Sequence, residues 1–220
     1  MNWYLLGPHE TAKPDWELLD ACPRCRVARM ERMRTPFLWS DAPDVACWFA
    51  VGNDISGSAN ASETLALGPA LVDVLGPYFS ARELVSVVVR DPLKGDSVSA
   101  SLLLGKPQVL MAVPHGQDVN GWYCPECANY TALRVLDDEV EYYVSLSCLP
   151  NDKDAVVVGF PRGYRAIAVS ERLHAAVDDV LEGRDRLVLL NQLGDDEVAG
   201  PCKLPPLSAP GLVEPWGDVE

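Results

Sequence analysis
Two short motifs carry the residue types best suited to holding a metal ion: Cys22-Pro-Arg-Cys25 and Cys124-Pro-Glu-Cys127, both of C-P-x-C form. In such a pair a tight turn aims two thiolates at one ion, and proline, with its fixed φ, presets the turn. Four thiolates in tetrahedral arrangement close around Zn²⁺ and leave no position for water, which makes the site structural rather than catalytic. One Zn²⁺ per chain on Cys22, Cys25, Cys124 and Cys127 is the expectation; iron would accept the same sulfur cage. Residues 26–123 separate the pairs, 98 in all, against roughly fifteen to twenty in a continuous zinc ribbon. The two knuckles must then meet as a split site with most of the body between them. A redox role would need one pair at a helix N-terminus beside a strand, and neither pair has that setting.

The other reactive residue types form no comparable pattern. Cys47 and Cys148 sit among apolar neighbours and read as small buried hydrophobes. His9-Glu10-Thr-Ala-Lys13 lacks the second His of a zincin helix. No histidine is followed by Glu two residues on, as a zinc deaminase requires. G-x-S-x-G, P-loop and G-x-G-x-x-G are all missing. Val113-Pro-His-Gly-Gln-Asp118 is the one place for a catalytic His with Asp, and it reads as a loop after a strand. His174 reads as a surface residue. The pairs Asp137-Asp138, Asp178-Asp179 and Asp195-Asp196 read as solvated turns or helix sides. A protein without catalysis is the expectation.

The chain that carries these motifs has 220 residues, 48% apolar and 23% charged. That is enough apolar surface for a packed core, in one large domain or two small ones. Eighteen Lys and Arg stand against 32 Asp and Glu, a formal charge of −14. Such a surface repels phosphate backbones, so nucleic acid is excluded as a general partner, while a basic partner would be steered towards it. No apolar run approaches the roughly 20 residues of a membrane span. The start lacks a positive n-region, and its apolar stretch ends after Leu5 and Leu6. Seven cysteines, an odd number, argue against a closed disulfide framework. These readings place the protein in the cytoplasm.

The fold expected is α+β: a mixed, mainly antiparallel sheet with a few helices and a split, zinc-ribbon-like knuckle. A single domain is expected over residues 1–195, with two lobes bounded near 115–123 as the alternative, followed by an extended tail over 196–220 with prolines at 201, 205, 206, 210 and 215. Trp3–Leu6 reads as a short edge strand leading towards the first knuckle. Residues 53–62 read as a loop. From Glu63 to Tyr78, Leu67, Leu71, Val74, Leu75 and Tyr78 recur at helical spacing, with Ser62 as N-cap or Pro69 in the first turn. Leu84–Arg90 is β-branched and bounded by Asp91-Pro92, hence a strand. Val98–Leu104 and Gln108–Val113 read as a hairpin through Gly105-Lys-Pro107. Strands are expected at Val140–Leu146, Ala155–Phe160 and Ala166–Val169. The last leads into a helix capped by Ser170, with Leu173, Val177, Val180 and Leu181 inward and Gly183 as the stop, then a strand at Arg186–Leu190.

These features resemble the double-CXXCG motif family of bacterial immunity proteins that accompany contact-delivered toxins. The shared points are the N-terminal C-P-x-C, a helix and strand over 67–89, the second C-x-x-C, and the strand–Ser–helix block Ala166-Ile-Ala-Val-Ser-Glu-Arg-Leu-His-Ala-Ala-Val. Arg26 and Ala128 stand where the family has Gly after each pair. The resemblance implies a cytoplasmic, non-catalytic protein that binds and silences a cognate toxin; a zinc-containing adaptor or accessory protein is the alternative, and an enzyme with an unrecognised site is the second alternative. A basic toxin would be met by an acidic face. Asp137, Asp138, Glu139 and Glu141, with Tyr142 or Tyr143 as anchor, and Asp178, Asp179 and Glu182 are the candidate contacts.

Overall fold
The computed structural model describes residues 1–7, 10–14, 22–24, 37–42, 46–52, 62–105, 107–110, 113–114, 120–126, 130–134, 143–159, 165–182, 187–194 and 196–199. Within them the fold is mixed α+β, dominated by sheets whose pairings are mostly antiparallel, with two α-helices. In chain order the first strands are β1 (Trp3–Leu6), β2 (Glu10–Pro14), β3 (Phe37–Trp39), β4 (Cys47–Gly52) and β5 (Ser62–Leu67). Helix α1 (Pro69–Leu75) follows, then β6 (Leu84–Arg90), β7 (Ser97–Leu103), β8 (Val109–Leu110), β9 (Val113–Pro114), β10 (Asn120–Tyr123) and β11 (Tyr130–Arg134). The remainder comprises β12 (Tyr143–Ser145), β13 (Ala155–Gly159), β14 (Arg165–Ser170), α2 (Glu171–Leu181), β15 (Leu187–Leu189), β16 (Asn191–Leu193) and β17 (Val198–Ala199).

Six strands close a barrel in the order β2-β3-β6-β7-β5-β4. Its filling follows from the two-residue side-chain period of a strand. Val85, Val87 and Val89 of β6 point inward with Val98, Ala100 and Leu102 of β7, and meet Leu38, Trp48 and Ala66. Alternate residues face out: Cys47, Leu65, Leu67 and Leu103 join a second, larger core. That core lies against the five-stranded sheet β15-β1-β14-β13-β8. Residues Ala155–Gly159 and Arg165–Ser170 are buried along their whole length, as expected of central strands covered on both faces. A polar contact joins the sheet to the end of the barrel: the Arg165 guanidinium donates through Nη1 to the Leu104 carbonyl at 3.1 Å. Within the sheet, Gln108 N–H donates to the Val157 carbonyl at 2.8 Å and extends the pairing of β8 with β13.

The strand–helix–strand unit expected over 166–190 is present. β14 and β15 both run antiparallel to β1, which lies between them, so α2 carries the chain across one intervening strand. Leu173, Val177 and Leu181 recur on one helix face and are buried. The helix ends at Glu182, in the left-handed region at φ 49° and ψ 30°, one residue before the glycine expected to stop it.

Several expectations need correction. The spacing read as one helix from Glu63 is split between strand and helix. β5 alternates Leu65 and Leu67 outward with Thr64 and Ala66 inward, and α1 starts after Gly68 with Pro69 in its first turn. Pro69 supplies no N–H and fixes a helical φ, so it begins a helix well and continues one badly; Ser62 is therefore no cap. The hairpin expected around 105–107 does not form: β7 pairs with β6 and β5, while β8 pairs parallel with β13. The hairpin lies one step earlier, through 91–96, where the Asp91 carboxylate accepts the N–H groups of Leu93 (2.7 Å) and Lys94 (3.0 Å). β1 is an interior strand, not an edge. Cys148 is exposed, because the 3₁₀ turn Leu146–Cys148 sends Leu149 into the core in its place. No helix among the described residues is long and apolar enough to cross a membrane.

Candidate metal centre
The two cysteine motifs have the same local build. Cys22 and Cys124 are fully buried. In each motif the next two residues, Pro23-Arg24 and Pro125-Glu126, form a turn with the proline exposed. The cysteine is thereby held inward while the turn faces out, which is the disposition a C-P-x-C knuckle requires. The second motif begins at the end of a hairpin strand: β10 and β11 pair antiparallel with Tyr123 opposite Tyr130, so Cys124 opens the connection between them.

The fold brings these two turns together. Cys22 Sγ and Cys124 Sγ lie 3.9 Å apart, although 102 positions separate them in the sequence. A disulfide would need about 2 Å, so the two sulfurs are not bonded to each other. Two sulfurs each about 2.3 Å from one ion, at the tetrahedral angle, stand about 3.8 Å from one another. The observed distance matches two corners of such a cage. Burial adds a chemical argument, since a thiolate removed from water is costly unless a cation neutralises it. A pair of buried sulfurs in contact is suited to a soft cation and poorly suited to solvent chemistry.

Cys25 and Cys127, the other two expected ligands, lie outside the described residues. Among the described residues no group of three or more His, Cys, Asp or Glu side chains converges on one point. Two of the four expected ligands are thus seen, and they are adjacent.

Of the remaining sequence candidates, those among the described residues do not converge on the cysteines. Asp178, Asp179 and Glu182 are exposed on α2. Asp137, Asp138, Glu139, Glu141 and Tyr142 lie outside the described residues, as do His9, His115 and Asp195; Tyr143 is half-buried in β12. His174 is half-buried, its ring 4.2 Å from that of Tyr4, which makes it part of the seam between α2 and β1. Cys47 is buried in the main core, as its apolar neighbours suggest.

One polar cluster escaped the sequence. Ser170 occupies the N-cap of α2, yet its hydroxyl caps nothing; it donates to Asp154 Oδ1 at 2.6 Å. Arg172 Nε lies 3.5 Å from the same oxygen, and Ser170 N–H donates to the Asp154 carbonyl at 2.8 Å. The pairing of β13 with β14 creates this contact across 16 residues, and no local pattern signals it. No protein-family model matches the chain, and no curated protein matches it.

Proposed function
We propose that this chain is a non-catalytic binding protein, an immunity protein that sequesters and neutralises a basic protein effector, and that one structural Zn²⁺ ties its two halves together. The 3.9 Å approach of Cys22 and Cys124 across 102 positions carries the metal part of this reading. In it, Cys25 and Cys127 complete a sulfur cage, and the ion does what a cross-link would do, fixing the first knuckle to the hairpin of β10 and β11. A closed cage leaves no open position for substrate or water, so the ion serves as scaffold.

The partner follows from charge and resemblance. The net charge of −14 favours association with a basic surface and raises its rate. Exposed Asp178, Asp179 and Glu182 offer one acidic ridge on α2, and Asp137, Asp138, Glu139 and Glu141 would extend the negative field. The resemblance to double-CXXCG immunity proteins supplies the toxin as the effector class.

Co-expression with the product of the adjacent gene is the test. A complex that co-purifies, weakens steeply with salt and restores growth against that product is the expected result. No complex and no rescue would overturn the immunity reading in favour of an accessory protein.

A further inference from the structure
A groove of about 470 Å³ runs along the outside of the barrel. Its walls are apolar: Pro69 and Val72 of α1 on one side, Val88 and Phe37 on the other. Three hydroxyls lie between them. Ser86 and Ser101 are direct cross-strand partners and Ser99 faces Val88, and because the alternation of β6 and β7 turns Ser86, Val88, Ser99 and Ser101 to this outer face, all three serines line the groove. Beyond the backbone ladder, none of the three hydroxyls has a hydrogen-bond partner among the described residues. The Asp73 carboxylate, exposed on α1, also lines it and has no ion-pair partner among the described residues. At Phe37 the ring is already covered by the Arg90 guanidinium, whose carbon sits 3.7 Å from the ring centroid.

We infer that this groove receives an arginine or lysine side chain presented on an extended segment of the protein partner. Apolar walls suit the aliphatic stem of such a side chain. Its head would then reach the Asp73 carboxylate, and the serine hydroxyls can accept its remaining N–H groups. An acidic side chain would meet the opposite situation, with Asp73 repelling it. A purely apolar one would find no use for the Asp73 carboxylate and would cover hydroxyls without pairing them. This inference rests on the reading of a basic protein partner for the partner's identity, whereas the groove's preference for a basic side chain can be measured separately.

The probe is a blocked pentapeptide with a central arginine between leucines, compared with the same peptide carrying glutamate. Titration into the ¹⁵N-labelled full-length protein should shift the amides of Val72, Ser86 and Ser99 saturably with the arginine peptide alone, at a Kd of about 1 mM or tighter. Asp73→Asn should weaken binding about fivefold, Ser99→Trp should abolish it by filling the groove, and Asp152→Asn, the same charge change at a distant exposed site, should leave it unchanged. Equal binding of both peptides, an unchanged Kd in Asp73→Asn, or no saturable shift at these amides would overturn the inference. An effector complex that forms with wild type and persists undiminished in Ser99→Trp would also overturn it while leaving the neutralisation reading standing. Peptide binding at the groove without any effector complex would do the reverse.

Discussion

Replacing Cys124 with Ser should remove the metal and with it a calculable part of the stability. In the folded chain Cys22 and Cys124 are already 3.9 Å apart. An unfolded chain that bound the same ion with the same ligands would first have to close the 102-residue separation, at an entropic cost of about 5 kcal/mol on the loop-closure relation used for cross-links. Zinc should therefore prefer the folded over the unfolded chain by about that amount, and this differential affinity is the stabilisation it confers at saturation. For a chain of this length, 1 kcal/mol corresponds to roughly 2–4 °C in Tm, so loss of the ion should lower Tm by about 10–20 °C. Calorimetry with and without a strong zinc chelator reads this directly. Wild type should fall by that margin on chelation, and Cys124→Ser should start at the lowered value and show no further response. A Cys124→Ser protein melting within about 2 °C of wild type, or still losing stability on chelation, would refute the reasoning.

Three further substitutions test individual contacts. Glu182 holds a left-handed conformation at the end of α2, so Glu182→Gly should raise stability by about 0.5–1 kcal/mol in urea denaturation; a loss would show that the Glu182 side chain matters more than its backbone. Asp154→Ala leaves the buried Ser170 hydroxyl without the acceptor it now uses, and should cost about 1–3 kcal/mol in the same assay, with no change in metal content. The Asp91 carboxyl is held below its ordinary value, first by the Lys94 amide and then by the Leu93 amide. Its folded-state pKa is therefore depressed, and its contribution is present above the unfolded value of about 4 and lost as pH falls through the lower folded one. Asp91→Asn should accordingly flatten the acid limb of the stability profile below about pH 4; an identical acid limb in both proteins would contradict that.

The parts of this fold legible in the sequence were those written in local periodicity. β6 could be read because Val85, Val87, Val88 and Val89 are β-branched and bounded by Asp91-Pro92, and β14–α2–β15 because the 3.6-residue face of Leu173, Val177 and Leu181 follows a continuous apolar strand. Partner choice was not legible. β7 and β8 are neighbours in sequence, but β8 adds to β13 of the sheet while β7 closes the barrel, a decision made by packing of distant surfaces. The stretch from Glu63 misled for a different reason: Leu67, Leu71 and Leu75 share a spacing of four that fits a helix, yet the alternation of Leu65 and Leu67 against Ala66 belongs to a strand. A two-residue and a four-residue period coincide at every fourth position, so Leu67 satisfied both.

The candidate site was legible in part, and by a different route. Repetition of C-P-x-C suggested that two turns would share one ion, a claim about residues far apart that needs no secondary structure. The structure places Cys22 beside Cys124. The groove could not be anticipated, because Ser86, Ser99 and Ser101 are unremarkable in isolation. Only the cross-strand register of β6 and β7 sets them on one face next to Asp73.

X-ray absorption at the zinc K-edge on protein purified without chelators tests the central claim most directly. One zinc per chain with a single shell of four sulfurs at about 2.3 Å is the predicted result, reporting at once the metal, the ligand count and the participation of both knuckles. A shell with nitrogen or oxygen ligands, a zinc content well below one per chain, or a four-sulfur shell unchanged in Cys22→Ser would contradict it.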